Sequence, residues 1–313
     1  MKQELIAQPE HVGQRLDVFV TAVALDVSRG AVQKSIKDGE ITLNGRLAKP
    51  HTALREGDVV AISSLEPTPS HAVEPTAQDI KLRIVFEDQD LLVVNKPSGM
   101  LVHPTVRSER DTLAAAALAH APEVSGVGDG PERPGIMQRL DKEASGLMVI
   151  AKNQKAYDHL KQQFMEHSVE KRYVILVHGR PPQDEGTINL AIGRSLSERR
   201  MAARSQPLEG DRPAITHYRV MRHLRSATLI EARTETGRTH QIRAHFRALG
   251  CPVAGDKLYG HKLDRLHIGR LFLHAETLGF THPTTGERLE FHAPITIELE
   301  RAIETLSLAT DPA

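Results

Sequence analysis

Strand-forming segments that follow one another without intervening helices restrict the fold of this chain more than any other feature. The runs "KRYVILVHG", "HYRVMRHL" and "ATLIEARTET" are each predicted to form a strand. A doubly wound parallel sheet needs a crossover helix after almost every strand, whereas antiparallel strands do not. We therefore predict an α+β fold with a mixed, mainly antiparallel sheet.

Two helices are predicted beside this sheet. The apolar run "GLMVIA" is a predicted buried strand, and Asn153 is placed to cap the helix that follows it. The apolar residues of that helix that lie near one face are Leu160, Phe164 and Met165. The segment "RTHQIRAHFRALG" predicts a basic helix that ends at Gly250.

A proline-rich segment predicts that the 313-residue chain is divided into two domains. Residues 66–78, "EPTPSHAVEPTAQ", combine prolines with small polar residues, which is typical of an extended linker. We expect a small module at residues 1–65 and a catalytic-sized domain at residues 79–313.

The small module is predicted to contain two helices and a β-hairpin. The first helix begins in "RLDVFVTAV", and Ser28 is placed to cap the second helix, which Gly39 ends. One face of the first helix carries Leu16, Phe19, Val20 and Val23. In "ITLNGRLAKPHTALREGDVVAI" we predict a strand, a turn at Asn44 and Gly45, and a second strand.

Positive charge is concentrated in the middle of a chain whose formal net charge is zero. Residues 133–247 contain 21 Lys/Arg and 12 Asp/Glu, a net charge of +9. Residues 79–132 and 248–313 carry −4 and −3. Such a basic segment favours the binding of phosphates and hence of nucleic acid, although a solvated charged surface would have the same composition.

Several classes of protein and of site are excluded by the sequence. No apolar run reaches about 18 residues, and "MKQELIAQPEH" lacks the apolar core of a secretion signal, so we expect a cytoplasmic protein with no membrane partner. Cys251 is the only cysteine, which excludes an internal disulfide and a cysteine zinc site. "GVGDG" matches no phosphate-binding loop, and His240 and His245 have the wrong spacing for two metal ligands on one helix face. We predict no cofactor and no metal.

A single acid among cations is the first candidate for chemistry. The stretch "GIMQRLDKEASGLMVIAKN" places Asp141 between Arg139 and Lys142, on a predicted turn before a buried strand. Tyr173 and Arg243 are the other two candidates. Taken singly, Tyr173 could be a strand core residue and Arg243 a charge on a helix surface.

The segments "RLDKEASGL", "EKRYVILVHG" and "TGRTHQIRAHF", in this order, resemble the three active-site motifs of the RluA-type pseudouridine synthase family. The similarity extends to "LLVVNKPSGMLVHP" and "GDKLYG", and so covers almost all of the large domain. The resemblance implies the pseudouridine synthase fold with a central RNA-binding cleft, and an isomerase that needs no cofactor. It converts uridine in RNA to its carbon-linked isomer by breaking the bond between ribose and base nitrogen, rotating the uracil and rejoining it through carbon 5.

The resemblance also implies roles for individual residues. Asp141 matches the catalytic aspartate, Arg243 the arginine that pairs with it, and Tyr173 the tyrosine that stacks on the target base and assists proton removal from carbon 5. Ile242 matches the apolar residue of the uracil pocket, and Arg139 helps to turn the uridine out of its stack. Two further residues of the third motif are expected to contact RNA or substrate: Arg238 and His240.

The small module resembles the S-four (αL) RNA-binding domain on its Ser28-Arg29, Asn44-Gly45 and Gly57-Asp58 landmarks. The resemblance implies an RNA-binding patch that includes Arg29, Lys34 and Lys37, although these could be ordinary solvated helix charges. With this module, the chain is most similar to the RluD branch of the family, which modifies large-subunit (23S) ribosomal RNA. We expect a structured RNA as partner, most of all large-subunit rRNA or an assembling ribosomal subunit, and a monomeric protein.

Two alternatives and two departures from the family pattern remain. The target could be a transfer RNA uridine, or the chain could be an inactive RNA-binding ribosome-assembly factor. The family usually has His where this chain has Gln138, and Thr where it has Ala144. Gln138 cannot take a positive charge, and Ala144 lacks a hydroxyl that could brace the turn holding Asp141.

Overall fold

The computed structural model describes residues 3–23, 27, 29–63, 75–105, 109–130, 133–198, 200–261 and 266–308. The chain divides into two compact units, Met1–Val73 and Glu74–Ala313. Within the described ranges, no helix has the length and apolar character needed to cross a membrane.

The small unit packs two helices on a three-stranded antiparallel sheet. Its elements are β1 (Gln3–Ile6), α1 (Leu16–Val23), α2 (Arg29–Lys37), β2 (Ile41–Leu43) and β3 (Val59–Ile62), with a short 3-10 helix at Pro9–His11. The sheet order is β1-β3-β2. Leu16, Phe19 and Val20 of α1 are buried against Val32 and Ile36 of α2, as the apolar spacing predicts.

Some details of the small unit differ from the predictions. Val23 is 41% exposed and does not belong to the buried face of α1. Asn44 and Gly45 form the predicted turn with positive φ angles of 51° and 71°, but only a single bridge follows it, and the second strand begins later, at β3. Strand β1 was not predicted. Ser28 lies outside the described residues.

The large unit is built on a mixed sheet, as predicted. Its strands are β4 (Ile84–Glu87), β5 (Leu91–Lys96), β6 (Ser145–Ala151), β7 (Glu170–His178), β8 (Glu185–Asn189), β9 (Ala191–Arg194), β10 (Met201–Arg204), β11 (Ile215–Leu224), β12 (Ala227–Thr234), β13 (Leu273–Thr281) and β14 (Arg288–His292). The main sheet has the order β4-β5-β6-β13-β7-β12-β11-β8, and β14 pairs with β13. Among the described strands, β6 and β13 form the only parallel pair. Strands β9 and β10 form a separate hairpin.

Four helices and a short 3-10 helix at Pro122–Val124 accompany these strands in the described part of the large unit. They are α3 (Leu113–His120), α4 (Gln154–Met165), α5 (Gln241–Ala248) and α6 (Ile297–Leu308). Asn153 caps α4 as predicted, because its side chain accepts a hydrogen bond from Ala156 N. Leu160 and Phe164 pack on one core cluster, but Met165 is 71% exposed and does not share the face that they bury.

Helix α5 begins later than predicted and lies beside β10 and β11. Its first residue is Gln241, because His240 has a left-handed backbone with φ of 55°. Gly250 follows the helix with φ of 84°, a conformation that favours glycine. The apolar side of α5 packs on β7 and β12 in one buried cluster that also contains Cys251.

Gly146 makes the close approach of β6 and β13 possible. It has φ of 120°, and a Cβ there would lie 2.3 Å from the carbonyl oxygen of its partner Ala275.

We expect Gly146→Ala to lower the free energy of unfolding by about 2 to 4 kcal/mol, measured by urea denaturation. Gly179 serves as the control, because it has φ of 69° and a Cβ added to it would meet no atom within 4 Å. Gly179→Ala introduces backbone strain alone, about 1 kcal/mol, and an equal loss in both variants would contradict the steric explanation.

Candidate active site

The structure brings Asp141 and Arg243 together although 102 positions separate them in the sequence. Asp141 lies in the loop before β6, and Arg243 lies in the first turn of α5. Arg243 Nη1 donates to Asp141 Oδ2 at 2.8 Å. The side chain of Arg243 is 6% exposed and that of Asp141 is 17% exposed. The ion pair is therefore largely shielded from solvent, while part of the Asp141 carboxylate remains accessible.

A second carboxylate fixes the guanidinium of Arg243. Arg243 Nε and Nη2 donate to the two oxygens of Asp256 at 2.7 and 2.9 Å. Asp256 also accepts hydrogen bonds from the backbone N–H groups of Leu258 and Tyr259. Burial opposes the charge on Asp256, but the hydrogen bonds and charge of Arg243 outweigh burial and lower the pKa of Asp256. Burial likewise disfavours the charged guanidinium, yet its two carboxylate partners raise the pKa of Arg243.

Asp256 was not among the predicted site residues. Its segment "GDKLYG" was noted only as part of the similarity to the family. A carboxylate beside a glycine and a lysine gives no local indication of its partner. The bidentate pairing turns Arg243 into a preorganised donor with its Nη1 aimed at Asp141.

The charge of Asp141 acts on Tyr173, so the two side chains belong to one site. It is half-buried on β7 and packs against the cluster that contains Ala144 and Ile242. Burial and, to a smaller extent, the charge of Asp141 raise the pKa of Tyr173 to about 12, against the effect of a hydrogen bond with Thr234. The phenol is therefore protonated at neutral pH, which suits stacking and hydrogen-bond donation in the unliganded protein.

The remaining predicted residues are placed differently. Ile242 is buried in the cluster beneath Tyr173. Arg139 is exposed, and no ion pair or hydrogen bond of its side chain occurs in the described ranges. Arg238 is turned to the backbone of Pro213, whose oxygen accepts from Arg238 Nε at 3.1 Å. His240 Nε2 lies 3.9 Å from Asp141 Oδ1.

Lys96 positions the loop that carries Asp141. Like Asp256, it was not among the predicted site residues. Its ammonium group is buried and surrounded by carbonyl oxygens of two turns. The acceptors are the backbone oxygens of Pro97 and Met100 at 2.9 Å, of Ala144 at 2.7 Å and of Lys142 at 3.3 Å. Burial, helped by the charge of Arg270, lowers the pKa of Lys96 to about 8, so the ammonium form still predominates at pH 7.

We expect Lys96→Met to weaken both the fold and the reaction. Unsatisfied buried carbonyl oxygens cost about 1 to 3 kcal/mol each, so we expect a loss of about 2 to 4 kcal/mol in urea denaturation after partial relaxation. The single-turnover rate of the uridine isomerisation that the family resemblance implies should fall as well, because the Asp141 loop loses its anchor. Exposed Lys155→Met is the control. A Lys96→Met protein as stable and active as this control would contradict the assignment.

The two departures from the family pattern have different surroundings. Ala144 is fully buried, its N–H donates to Asp141 O at 3.2 Å, and its own oxygen accepts from Lys96. The turn is thus braced by backbone groups and Lys96 without a hydroxyl at position 144. The amide nitrogen Nε2 of Gln138 is buried and has no hydrogen-bond partner among the described residues.

One group of side chains has a composition compatible with a metal ion. In the described part of the chain, Asp88, Asp90 and His282 have ligand atoms within 4.8 Å of one another. His282 Nε2 and Asp88 Oδ2 form a 2.8 Å pair, and Asp88 Oδ1 accepts from the N–H groups of Asp90 and Leu91. These bonds close the turn between β4 and β5, at the opposite end of β5 from Lys96.

The chain is similar to known proteins over both units. Residues 90–248 match the family model described as RNA pseudouridylate synthase, and residues 14–60 match the S4 domain. An uncharacterised RNA pseudouridine synthase of Bacillus subtilis is 40% identical over 304 residues, with 97% of both chains covered. A Zymomonas mobilis protein named ribosomal large subunit pseudouridine synthase D is 38% identical, with 98% of both chains covered.

A solved structure has a similar fold over most of this chain. The human protein RNA pseudouridylate synthase domain containing 1 is 28% identical, with a TM-score of 0.57. The similarity covers 76% of this chain and 99% of that chain. The fold and the full-length relatives confirm the predicted resemblance. The chain belongs to the RNA pseudouridylate synthase family and is an RNA pseudouridine synthase, an isomerase with an S4 domain in its amino-terminal part.

Proposed function

We propose that this enzyme isomerises specific uridines of large-subunit ribosomal RNA to pseudouridine, with Asp141 as the catalytic residue. The observation that carries the proposal is the buried Arg243–Asp256 pair that aims a guanidinium at an accessible Asp141 carboxylate. The ribosomal target is supported by the S4 domain and by full-length relatives named ribosomal large subunit pseudouridine synthase D. Such a target implies that the enzyme acts in the cytoplasm. We propose that it acts as a monomer.

Asp141 acts in one of two ways in the proposed reaction. The carboxylate either attacks the ribose or the base as a nucleophile, or removes a proton from the ribose. In both cases the bond between ribose and base nitrogen breaks, the uracil rotates, and carbon 5 forms the new bond to the sugar. A bond that Asp141 has formed to the sugar or the base is broken again when carbon 5 binds the sugar, and a proton removed from the ribose is returned to it, so the carboxylate is regenerated. The proton then leaves carbon 5, a step in which Tyr173 takes part. Because the Tyr173 phenol is protonated at rest, it must first pass its proton on if it is to act as a base.

Substrate entry requires that the uridine leave its stack. Arg139 is exposed beside Asp141, as a residue that occupies the vacated space or holds a displaced phosphate must be. Ile242 and Tyr173 belong to the apolar cluster beneath the site and are proposed to line the uracil pocket. Arg238 is proposed to contact the RNA, whereas the imidazole of His240 faces Asp141.

The S4 domain is proposed to add affinity for the RNA backbone. Lys34 and Lys37 are exposed on α2, and Arg29 begins this helix. We expect Lys34→Gln/Lys37→Gln to weaken binding to ribosomal RNA and to reduce the slope of log affinity against log salt by about 2, one for each phosphate contact. Filter binding across a salt series measures both quantities.

A charge-matched control separates a binding patch from a general charge effect. Lys81 and Arg301 are exposed on the large unit, and Lys81→Gln/Arg301→Gln removes the same charge. Equal changes in the two double variants would show that α2 does not form a phosphate-binding patch.

The RNA target is tested in cells and in vitro. Pseudouridines are mapped by reverse-transcription stops after carbodiimide treatment, in cellular RNA with and without this protein. We expect certain pseudouridines of large-subunit rRNA to be missing from cells that lack the protein. They should form when purified enzyme is added to RNA from those cells. Loss confined to transfer RNA would establish the alternative target, and no loss in any RNA would favour an RNA-binding assembly factor.

A further inference from the structure

His240 lies between the hydroxyl of Tyr259 and the carboxylate of Asp141. Its Nδ1 is 3.1 Å from Tyr259 Oη, and its Nε2 is 3.9 Å from Asp141 Oδ1. Arg243 binds the other carboxylate oxygen, Oδ2. Within the described residues no hydrogen bond to Oδ1 is formed, so the oxygen that faces His240 can accept one.

Tyr259 determines which nitrogen of His240 carries the proton. Tyr259 Oη accepts the N–H of Met201 at 2.9 Å, and in the described ranges His240 Nδ1 is the acceptor within reach of the hydroxyl proton. An Nδ1 that accepts a proton has none of its own, so the neutral imidazole is protonated at Nε2. The other tautomer would point the Nε2 lone pair at the Asp141 carboxylate, which is electrostatically unfavourable.

The Tyr259 hydroxyl is held in place, so it can fix this tautomer of His240. Its side chain is 1% exposed, and the guanidinium groups of Arg243 and Arg200 lie 5.1 and 5.3 Å from the ring centroid. Burial raises the pKa of Tyr259 to about 12, so the hydroxyl keeps its proton at neutral pH. Met201 is the first residue of β10, which ties the hydroxyl to the β9–β10 hairpin.

Burial favours the neutral form of the His240 imidazole. Burial lowers the pKa of His240, and the positive charge of Arg243 acts in the same direction. The negative charges of Asp141, Asp256 and Glu143 oppose this shift without reversing it. A neutral donor next to Asp141 orients the carboxylate without cancelling its charge.

We propose that His240 is a positioning residue for Asp141, which donates its Nε2–H to Oδ1 once RNA is bound. The inference rests on the catalytic role proposed above for Asp141. A separation of 3.9 Å is too long for a hydrogen bond, but contacts in active sites commonly shorten when the substrate is bound. Arg243 and His240 then each hold one oxygen and fix the plane of the carboxylate relative to the ribose.

A purely conformational role for His240 makes a different prediction. Its φ of 55° is a left-handed conformation in which Asn is among the best tolerated non-glycine residues. A conformational role therefore predicts that Asn replaces His240 better than Gln does. A donor role predicts the reverse, because the amide nitrogen of Gln reaches about as far as the imidazole Nε2, whereas that of Asn is too short.

Three variants test the donor role: His240→Gln, His240→Asn and Tyr259→Phe. Single-turnover rates and dissociation constants are measured with a ribosomal RNA fragment that wild type modifies. We expect rates within about 5-fold of wild type for Gln, at least about 30-fold lower for Asn, and about 10-fold lower for Tyr259→Phe, with dissociation constants within about twofold. Asn equal to or better than Gln would overturn the proposal, as would losses confined to RNA affinity.

Nitrogen NMR of the histidine rings in the full-length protein provides an independent test. We expect Nε2 of His240 to be protonated in wild type, and Tyr259→Phe to give a mixture of the two tautomers. Protonation at Nδ1 in wild type would overturn the proposal whatever the catalytic rates are. A wild-type protein that modifies no RNA would refute the proposed function instead, and the NMR result would still decide the tautomer.

Discussion

Asp141→Asn is expected to lower the rate of pseudouridine formation by about 10²- to 10⁴-fold, because a positioned base or nucleophile contributes a rate factor of that order. Asparagine has nearly the same shape as aspartate, and its side-chain oxygen can still accept the hydrogen bond from Arg243 Nη1. The charge and the nucleophilic oxygen are lost, while the loop and the binding surface are retained. Mapped pseudouridine in ribosomal RNA after incubation with each protein measures the effect.

Binding and folding must be unchanged for this result to concern chemistry. We expect the affinity of Asp141→Asn for the RNA to stay within a few-fold of wild type and the urea midpoint to shift little. Asp129→Asn, at an exposed aspartate on another loop, is the control for the loss of one negative charge. Equal modification by wild type and Asp141→Asn would remove Asp141 from the reaction, and modification by neither would support a non-catalytic RNA-binding role.

Much of the fold was predictable from the sequence because its signals are local. Runs of strand-forming residues without helices between them predicted the antiparallel part of the sheet, and Asn153 predicted the start of α4. The errors occur where a local apolar pattern does not show whether another part of the chain covers the side chain. Val23 is the last residue of α1 and is 41% exposed. Met165 follows Phe164, which packs on its core cluster, so the Met165 side chain is turned about 100° away from that contact and is exposed.

The site was predictable only in part. Asp141, Tyr173 and Arg243 stand in motifs, but the groups that hold them were found only in three dimensions. Lys96 stands in "LLVVNKPSGMLVHP", which was noted only for its similarity to the family, and nothing local indicated that its ammonium group would bind the Asp141 loop 46 to 48 positions away. A buried charge needs a partner, but the sequence does not specify which one.

Arg243→Met is expected to have the largest effect on stability. It leaves the buried Asp256 without its bidentate partner, and breaking a buried ion pair from one side costs about 3 to 5 kcal/mol. Urea denaturation measures the loss. Activity should also fall, because Asp141 loses the donor at Oδ2. The double variant Arg243→Met/Asp256→Leu removes both charges and should recover most of the stability but none of the activity.

The pH dependence of stability distinguishes a broken ion pair from a simple packing defect. In wild type the pKa of Asp256 is lowered on folding, so its contribution is present above the unfolded value, about 3.9, and is lost as the pH falls. In Arg243→Met the unpaired buried carboxyl should have a raised pKa, so the folded state binds the extra proton and the variant gains stability as the pH falls from 7 towards 4. The stability difference between wild type and variant should therefore narrow on acidification. A difference that is constant between pH 7 and pH 4 would mean that Arg243 contributes by packing alone, and that Asp256 does not depend on it for its charge.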